Sequence, residues 1–324
     1  MARVHPWIRL RTSIGELNRT VALSVVGILG FLIIAIGASV TSVRTLFVIE
    51  ANTEVLSGQL HPDARLTWWI PGAQLCAGKS ARFVNPRNAP HDSAPTSCDG
   101  RATAITNFKG HIEIEGEANL RIERLGHGPL ALSLHQVDGA APFVVHAHQA
   151  GKRANQRIEP PLFLTFASPD ALAHKGTPVS LPILARELAA GRLIDLRPVA
   201  QSPLLLGGTV TTMGEVVFGD SIYRARSTKL LQGDRVSVSE SQQSIPGFAR
   251  IDDRRGIHTV FRVEARRLST SSFFGQTDQQ SLTFIDEFRN DPFFTAIWSV
   301  IGALAALSAA VPLLEKRSGK RAAE

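Results

Sequence analysis

Two cysteines, two methionines and a single tyrosine are all that 324 residues contain of those types. So few cysteines exclude a disulfide-dense secreted scaffold and a four-cysteine zinc site. No phosphate-binding glycine-rich loop and no pair of catalytic carboxylates can be made out. Glycosylation sequons are missing between residues 44 and 293; Asn18-Arg19-Thr20 is the single instance in the chain. That absence fits a bacterial periplasm better than an endoplasmic reticulum lumen.

Formal charge is missing from two long stretches, Val21 to Val43 and Pro292 to Leu314. As helices at 1.5 Å per residue, each would reach about 34 Å, enough to cross a hydrocarbon core of about 30 Å. The first run exceeds a signal-peptide core, and no good A-x-A site follows it, so it is expected to stay as an anchor. Arg3, Arg9, Arg11 and Arg19 precede it, and Lys316, Arg317, Lys320 and Arg321 follow the second run. Positive flanks stay on the cytoplasmic side, so both termini are expected there.

These flanks hold most of the net charge of +7, and the pI of about 10.0 follows from them. The basicity therefore encodes topology. It gives no support for nucleic-acid binding, which needs a concentrated basic face.

Between the runs the pattern is that of strands. Ile112 and Ile114 alternate with Glu113 and Glu115, and Leu120 and Ile122 alternate with Arg121 and Glu123. Ile257, Thr259, Phe261 and Val263 alternate with His258, Arg262 and Glu264. Period two broken by Gly, Pro and Asp predicts antiparallel sheet with one wet face. One helix is predicted over Pro182 to Ala190, where Leu184 and Leu188 lie four apart and Gly191 would stop it. Gly219-Asp220 and Gly233-Asp234 predict two tight turns and a three-stranded meander over 208–240.

The expected architecture is a membrane-anchored, mainly β protein. Two transmembrane helices flank an extracytoplasmic antiparallel β-sandwich or barrel-like region with one short helix. The segments are 1–20 (cytoplasmic), 21–43 (first transmembrane helix), 44–293 (periplasmic), 294–314 (second transmembrane helix) and 315–324 (basic cytoplasmic tail). The charge and proline in 151–161 make that stretch a candidate subdomain boundary. Leu46–Glu50 and Leu282–Phe288 must reach one membrane face and are expected to pair.

The stretch VVFGDSIY, residues 216–223, resembles the first block of the GDSL (SGNH) hydrolases, whose nucleophilic serine follows Gly-Asp. The resemblance implies Ser221 as nucleophile, with a histidine base and an oxyanion hole supplied by later blocks. Those blocks are missing: Asn290-Asp291 lacks the family's preceding glycine, Asp-x-x-His does not occur, and the sole histidine after Ser221 is His258. Gly219-Asp220 as a hairpin turn accounts for the same residues.

Cys76 and Cys98, beyond the membrane, are expected to form a disulfide. It would staple an irregular Pro-, Asn- and Ser-rich loop, worth about 3 kcal/mol in the chain-entropy account. His146 and His148, two apart on a strand, share a face, but a metal site would need His111 or His127 from other strands; no metal or cofactor is expected. Asp252-Asp253 beside Arg254-Arg255 reads as a solvated turn. Trp68 and Trp69 are a candidate binding surface, with one ring in the core and one at the rim as the alternative. Gly302, Ala306 and Ala310, with Gly30 and Gly37 on the first run, form small-residue faces suited to close helix packing.

The expected role is a non-enzymatic accessory or scaffold protein in the inner membrane. Its partners would be the lipid bilayer and other membrane or periplasmic proteins, a second copy of itself among them. A serine hydrolase using Ser221 with His258, and a ligand-binding module using Trp68 and Trp69, are the alternatives.

Overall fold

The computed structural model describes residues 27, 30, 45–78, 82–83, 96–97, 103–124, 129–137, 143–149, 152–158, 160–166, 178–191, 204–216, 221–238, 243–252, 254–272, 276–283, 286, 289–303 and 306. The chain divides into two compact units. One comprises Arg44–Gly214 and Ile222–Leu282; the other comprises Met1–Val43, Glu215–Ser221 and Thr283–Glu324.

The first unit is built of strands. In chain order they are β1 (Thr45–Thr53), β2 (Val55–Leu60), β3 (Arg65–Ala77), β4 (Arg82–Phe83), β5 (Thr96–Ser97), β6 (Thr103–Glu115) and β7 (Ala118–Arg124). There follow β8 (Leu130–Gln136), β9 (Phe143–Gln149), β10 (Lys152–Ile158), β11 (Leu162–Phe166), β12 (Val179–Gly191) and β13 (Leu205–Glu215). The last are β14 (Ile222–Leu230), β15 (Arg235–Val238), β16 (Ile245–Ile251), β17 (Ile257–Ala265), β18 (Leu268–Ser271) and β19 (Thr277–Gln280).

Apart from the small β4–β5 pair, these strands form a single antiparallel sheet. Followed edge to edge it runs β10, β9, β6, β3, β11, β8, β7, β2, β12, β16, β17, β1, β13. β14 lies beside β13, since a Cβ built on Gly214 would run into the Tyr223 ring. β15, β18 and β19 branch from β12. The core is one continuous apolar cluster drawn from both arms of the sheet.

The alternation read in the sequence is what fills that core. Ile257, Thr259, Phe261 and Val263 are buried while His258 and Arg262 face water. Ile112 and Ile114 point inward, as do Leu120 and Ile122. β11 departs from alternation because β3 and β8 flank it and both its faces are covered; all five of its residues are buried.

Pro182 to Ala190 is not a helix. It lies within β12, which pairs with β16 over its first half and with β2 and β15 over its second. Val179, Leu181, Ile183 and Ala185 are buried, and then Leu188 and Ala190. A bulge between Ala185 and Glu187 switches the parity. That extra residue disguises period two as a helical spacing. Gly58 on β2 meets the bulge, where any Cβ would collide with the Glu187 carbonyl.

Two pairing expectations also change. β15 has both edges occupied, by β12 and β18, so it cannot be the third strand of a 208–240 meander. β1 is likewise flanked on both edges, by β13 and β17, which leaves no edge for 282–288. The 151–161 stretch contains β10, which pairs with β9.

In the second unit a helix runs over 292–303. Pro292 opens it, where a missing N–H costs nothing. Asp291 caps it: Oδ1 accepts the Phe293 N–H at 2.8 Å. One turn earlier Thr283 and Asp286 cap each other reciprocally, Thr283 Oγ1 donating to Asp286 Oδ2 at 2.7 Å and accepting the Asp286 N–H at 3.2 Å. Among the described residues no helix is long and apolar enough to cross a membrane. Most of 21–43 and the end of 294–314 lie outside the described residues.

Candidate functional site

Ser221 is exposed, and its carbonyl accepts the Val216 N–H at 2.9 Å, as in a hairpin end. Gly219 and Asp220 lie outside the described residues. Ser221 and His258 fall in different compact units. His258 lies opposite Asn52, and Asn52 opposite Gly207. Tyr223, two residues after Ser221, lies beside Gly214. Gly207 to Gly214 at about 3.3 Å per residue is roughly 23 Å of strand.

The tryptophans divide. Trp68 is fully buried and its indole N–H donates to the Pro182 carbonyl at 2.7 Å, tying β3 to β12. Trp69 is 41% exposed and lies against His111, ring centroids 4.7 Å apart. Registers place Trp69, His111, His146 and Asn155 opposite one another in a row across β3, β6, β9 and β10. His146 Nε2 is 3.1 Å from Glu113 Oε1. Among the described residues no group of three or more His, Cys, Asp or Glu could hold a metal ion. His127 and the side chain of His148 lie outside the described residues.

Cys76 is buried on β3 and is not a free thiol; Cys98 lies outside the described residues. Gly302 and Ala306 are exposed on the helix, and a Cβ added at Gly302 or Gly30 would meet nothing within 4 Å. Gly37 and Ala310 lie outside the described residues.

The sequence reading missed a buried polar junction where β1 breaks into β2. Glu54, almost fully buried, accepts from Arg255 Nη2 at 2.9 Å and from the Leu204 N–H at 3.2 Å. Its carbonyl accepts the Arg124 N–H at 2.9 Å. Arg124 is wholly buried, and its Nη1 donates to the carbonyls of Asp252 at 2.6 Å and Gly256 at 3.2 Å. Gly256 has φ +81, and a Cβ there would press on Asn52 Oδ1 and the Thr53 carbonyl. The Asp252 turn is therefore a receptor for a buried cation. Its side chain also accepts the Arg254 N–H at 2.9 Å. A signal was present: Arg124 continues the inward parity of Leu120 and Ile122.

His135 on β8 stands edge-on to Phe163, centroids 5.4 Å apart. Partial desolvation there pulls its pKa below the ordinary value of 6.5, favouring neutral imidazole.

The strand registers also bring the two ends of the β unit's chain together. Thr45, the first residue of β1, is opposite Ala265, the last of β17. After Arg266 and Arg267, Leu268 opens β18 opposite Gln280, the last residue of β19. Cross-strand spacings of about 5.5 Å and a three-residue step put Thr45 and Gln280 within roughly 20 Å of each other. Compared with known protein families, curated proteins and solved structures, the chain matches none.

Proposed function

We propose that the protein is a membrane-anchored, non-enzymatic accessory protein that displays a β unit in the periplasm and binds other envelope components there and in the membrane. The observation that carries this reading is the convergence of Thr45 and Gln280 at one end of the sheet. A domain held between two spans must release both chain ends toward one bilayer face. Thr45 follows the first apolar run almost directly, and Gln280 precedes the second by about one short capped turn.

The helix over 292–303 supports a second span. Trp298 and Val300 are 48% and 59% exposed on it, an arrangement costly in water and favourable in lipid. Gly302 leaves open space and Ala306 is exposed, small residues against which another helix could pack closely. In the same reading Cys76 pairs with Cys98, as a periplasmic location permits.

Cross-linking in intact membranes, followed by affinity capture in mild detergent, tests the proposal. The variant Gly302→Leu/Ala306→Leu/Ala310→Leu should lose cross-linked partners while remaining in the membrane fraction. An unchanged set of partners would reject binding through this helix.

A second reading, an extracytoplasmic ligand-binding module, is favoured by one observation. Trp69 presents an exposed ring in a row of hydrogen-bonding side chains. Glycan-array binding by the solubilised chain, abolished in Trp69→Ala, would raise it above the scaffold reading.

A further inference from the structure

The end of the β unit from which both chain ends leave carries exposed apolar and cationic side chains. β14 begins there with Ile222, an isoleucine 52% exposed. Arg224 and Arg226 follow at period two, both exposed on one face of the strand. Tyr223 lies beside Gly214, so Arg224 comes next to Met213, which is opposite Leu46, second residue of β1. On the neighbouring ladder Arg266 and Arg267 are exposed in the turn that follows Ala265. Exposed apolar and cationic side chains thus share the margin that carries Thr45.

Carboxylates at this margin are fewer. Glu264 is held by Arg262 Nη2 at 3.4 Å; Glu215 is exposed at the end of β13, and Asp278 is exposed on β19. Toward the other end of β14 the exposed apolar residue is Leu231, 60% exposed, in the turn before β15. Ile222 and Leu231 are separated by the length of the strand, about 30 Å at 3.3 Å per residue. That is several Debye lengths at physiological salt.

We propose that the Ile222–Arg224–Arg226 face, with Arg266 and Arg267, is a lipid-contacting margin that binds the anionic headgroups of the bilayer anchoring the chain. Ile222 enters the interfacial region, and the guanidinium groups lie at the level of the phosphates, which they bind bidentately. The contact fixes the β unit upright on the membrane instead of leaving it to pivot on its two connections. The inference rests on the membrane-anchored reading above and adds a binding site to it.

The test uses the full chain reconstituted into vesicles of phosphatidylcholine, with and without phosphatidylglycerol. Single reporters go in at Ile222→Cys and Leu231→Cys, labelled with an environment-sensitive fluorophore without reductant; the wild-type chain supplies the labelling background. Shallow doxyl-lipid quenchers should quench the fluorophore at position 222, more strongly in the anionic vesicles, and leave position 231 unquenched. Arg224→Ala and Arg226→Ala should each lower the anionic-lipid preference by about fivefold, the weight of one arginine near a charged surface, and high salt should remove it. Equal quenching at 222 and 231, or no dependence on lipid charge, would overturn the margin while leaving the anchor intact. Failure of the wild-type chain to float with vesicles of either composition would overturn both.

Discussion

The two ends of the β1–β17 ladder handle charge in opposite ways. At the Thr53–Ile257 end, Glu54 and Arg124 are turned inward, buried and hydrogen-bonded to backbone from several segments. At the Thr45–Ala265 end, Arg224, Arg226, Arg266 and Arg267 stand in solvent beside an exposed isoleucine. Buried charges cost several kcal/mol each to desolvate and are kept only where partners are fixed. Charges in water cost little and remain free to meet another surface. The first end therefore holds the sheet together, and the second is the place to look for contact with something outside the chain.

Substitution should separate the two ends by a wide margin. Arg124→Ala strands the Asp252 and Gly256 carbonyls in a closed junction and leaves a cavity there, with an expected loss of about 2–4 kcal/mol in denaturant unfolding. Arg224→Ala should change stability by no more than about 0.5 kcal/mol. Equal effects would erase the distinction between the ends.

The tryptophans offer a smaller contrast of the same kind. Trp68→Phe keeps most of the buried ring but leaves the Pro182 carbonyl without its indole donor, for an expected loss of about 1–2 kcal/mol. Trp69→Phe, at the rim, should be nearly silent in the same melt. Removing the Asp291 cap with Asp291→Ala should cost about 1 kcal/mol of local helix stability, read by hydrogen exchange in detergent over 293–296.

His135 gives a pH signature. Its folded-state pKa lies below 6.5, so the folded state takes up a proton less readily than the unfolded one. Its contribution is complete above about pH 6.5 and falls as pH drops below that value. His135→Gln should flatten this acid slope, and the His135 ring signals should titrate below 6.5 in NMR. The smallest expected effect is at Ser221. As an exposed hairpin residue, Ser221→Ala should shift stability by less than about 0.5 kcal/mol; loss of biological function in a normally folded Ser221→Ala would instead favour the hydrolase alternative.

What was legible in the sequence was whatever a single strand announces by itself. The parity of β17 and of β6 is written in Ile257 to Val263 and in Ile112 to Glu115, because each strand has one face in the core. What was not legible depended on two segments at once. The β12 bulge exists because Glu187 must pass Gly58 of another strand, and no local spacing records that meeting. The neighbours of β1 were likewise hidden, since β13 and β17 come from late in the chain. The Glu54–Arg124 junction fell between these cases: the inward parity of Arg124 was visible, while its acceptors, two backbone carbonyls, have no sequence signature.

The central claim is that the chain enters and leaves the β unit through one membrane face, with both termini on the opposite side. Thiol accessibility in sealed, right-side-out membrane vesicles tests it most directly, with a membrane-impermeant maleimide and single cysteines at Ser13→Cys, Leu231→Cys and Ser318→Cys. The account predicts labelling at 231 in intact vesicles, and at 13 and 318 only after the membrane is opened with detergent. Labelling of all three positions in intact vesicles, or of 231 together with either terminus, would contradict it.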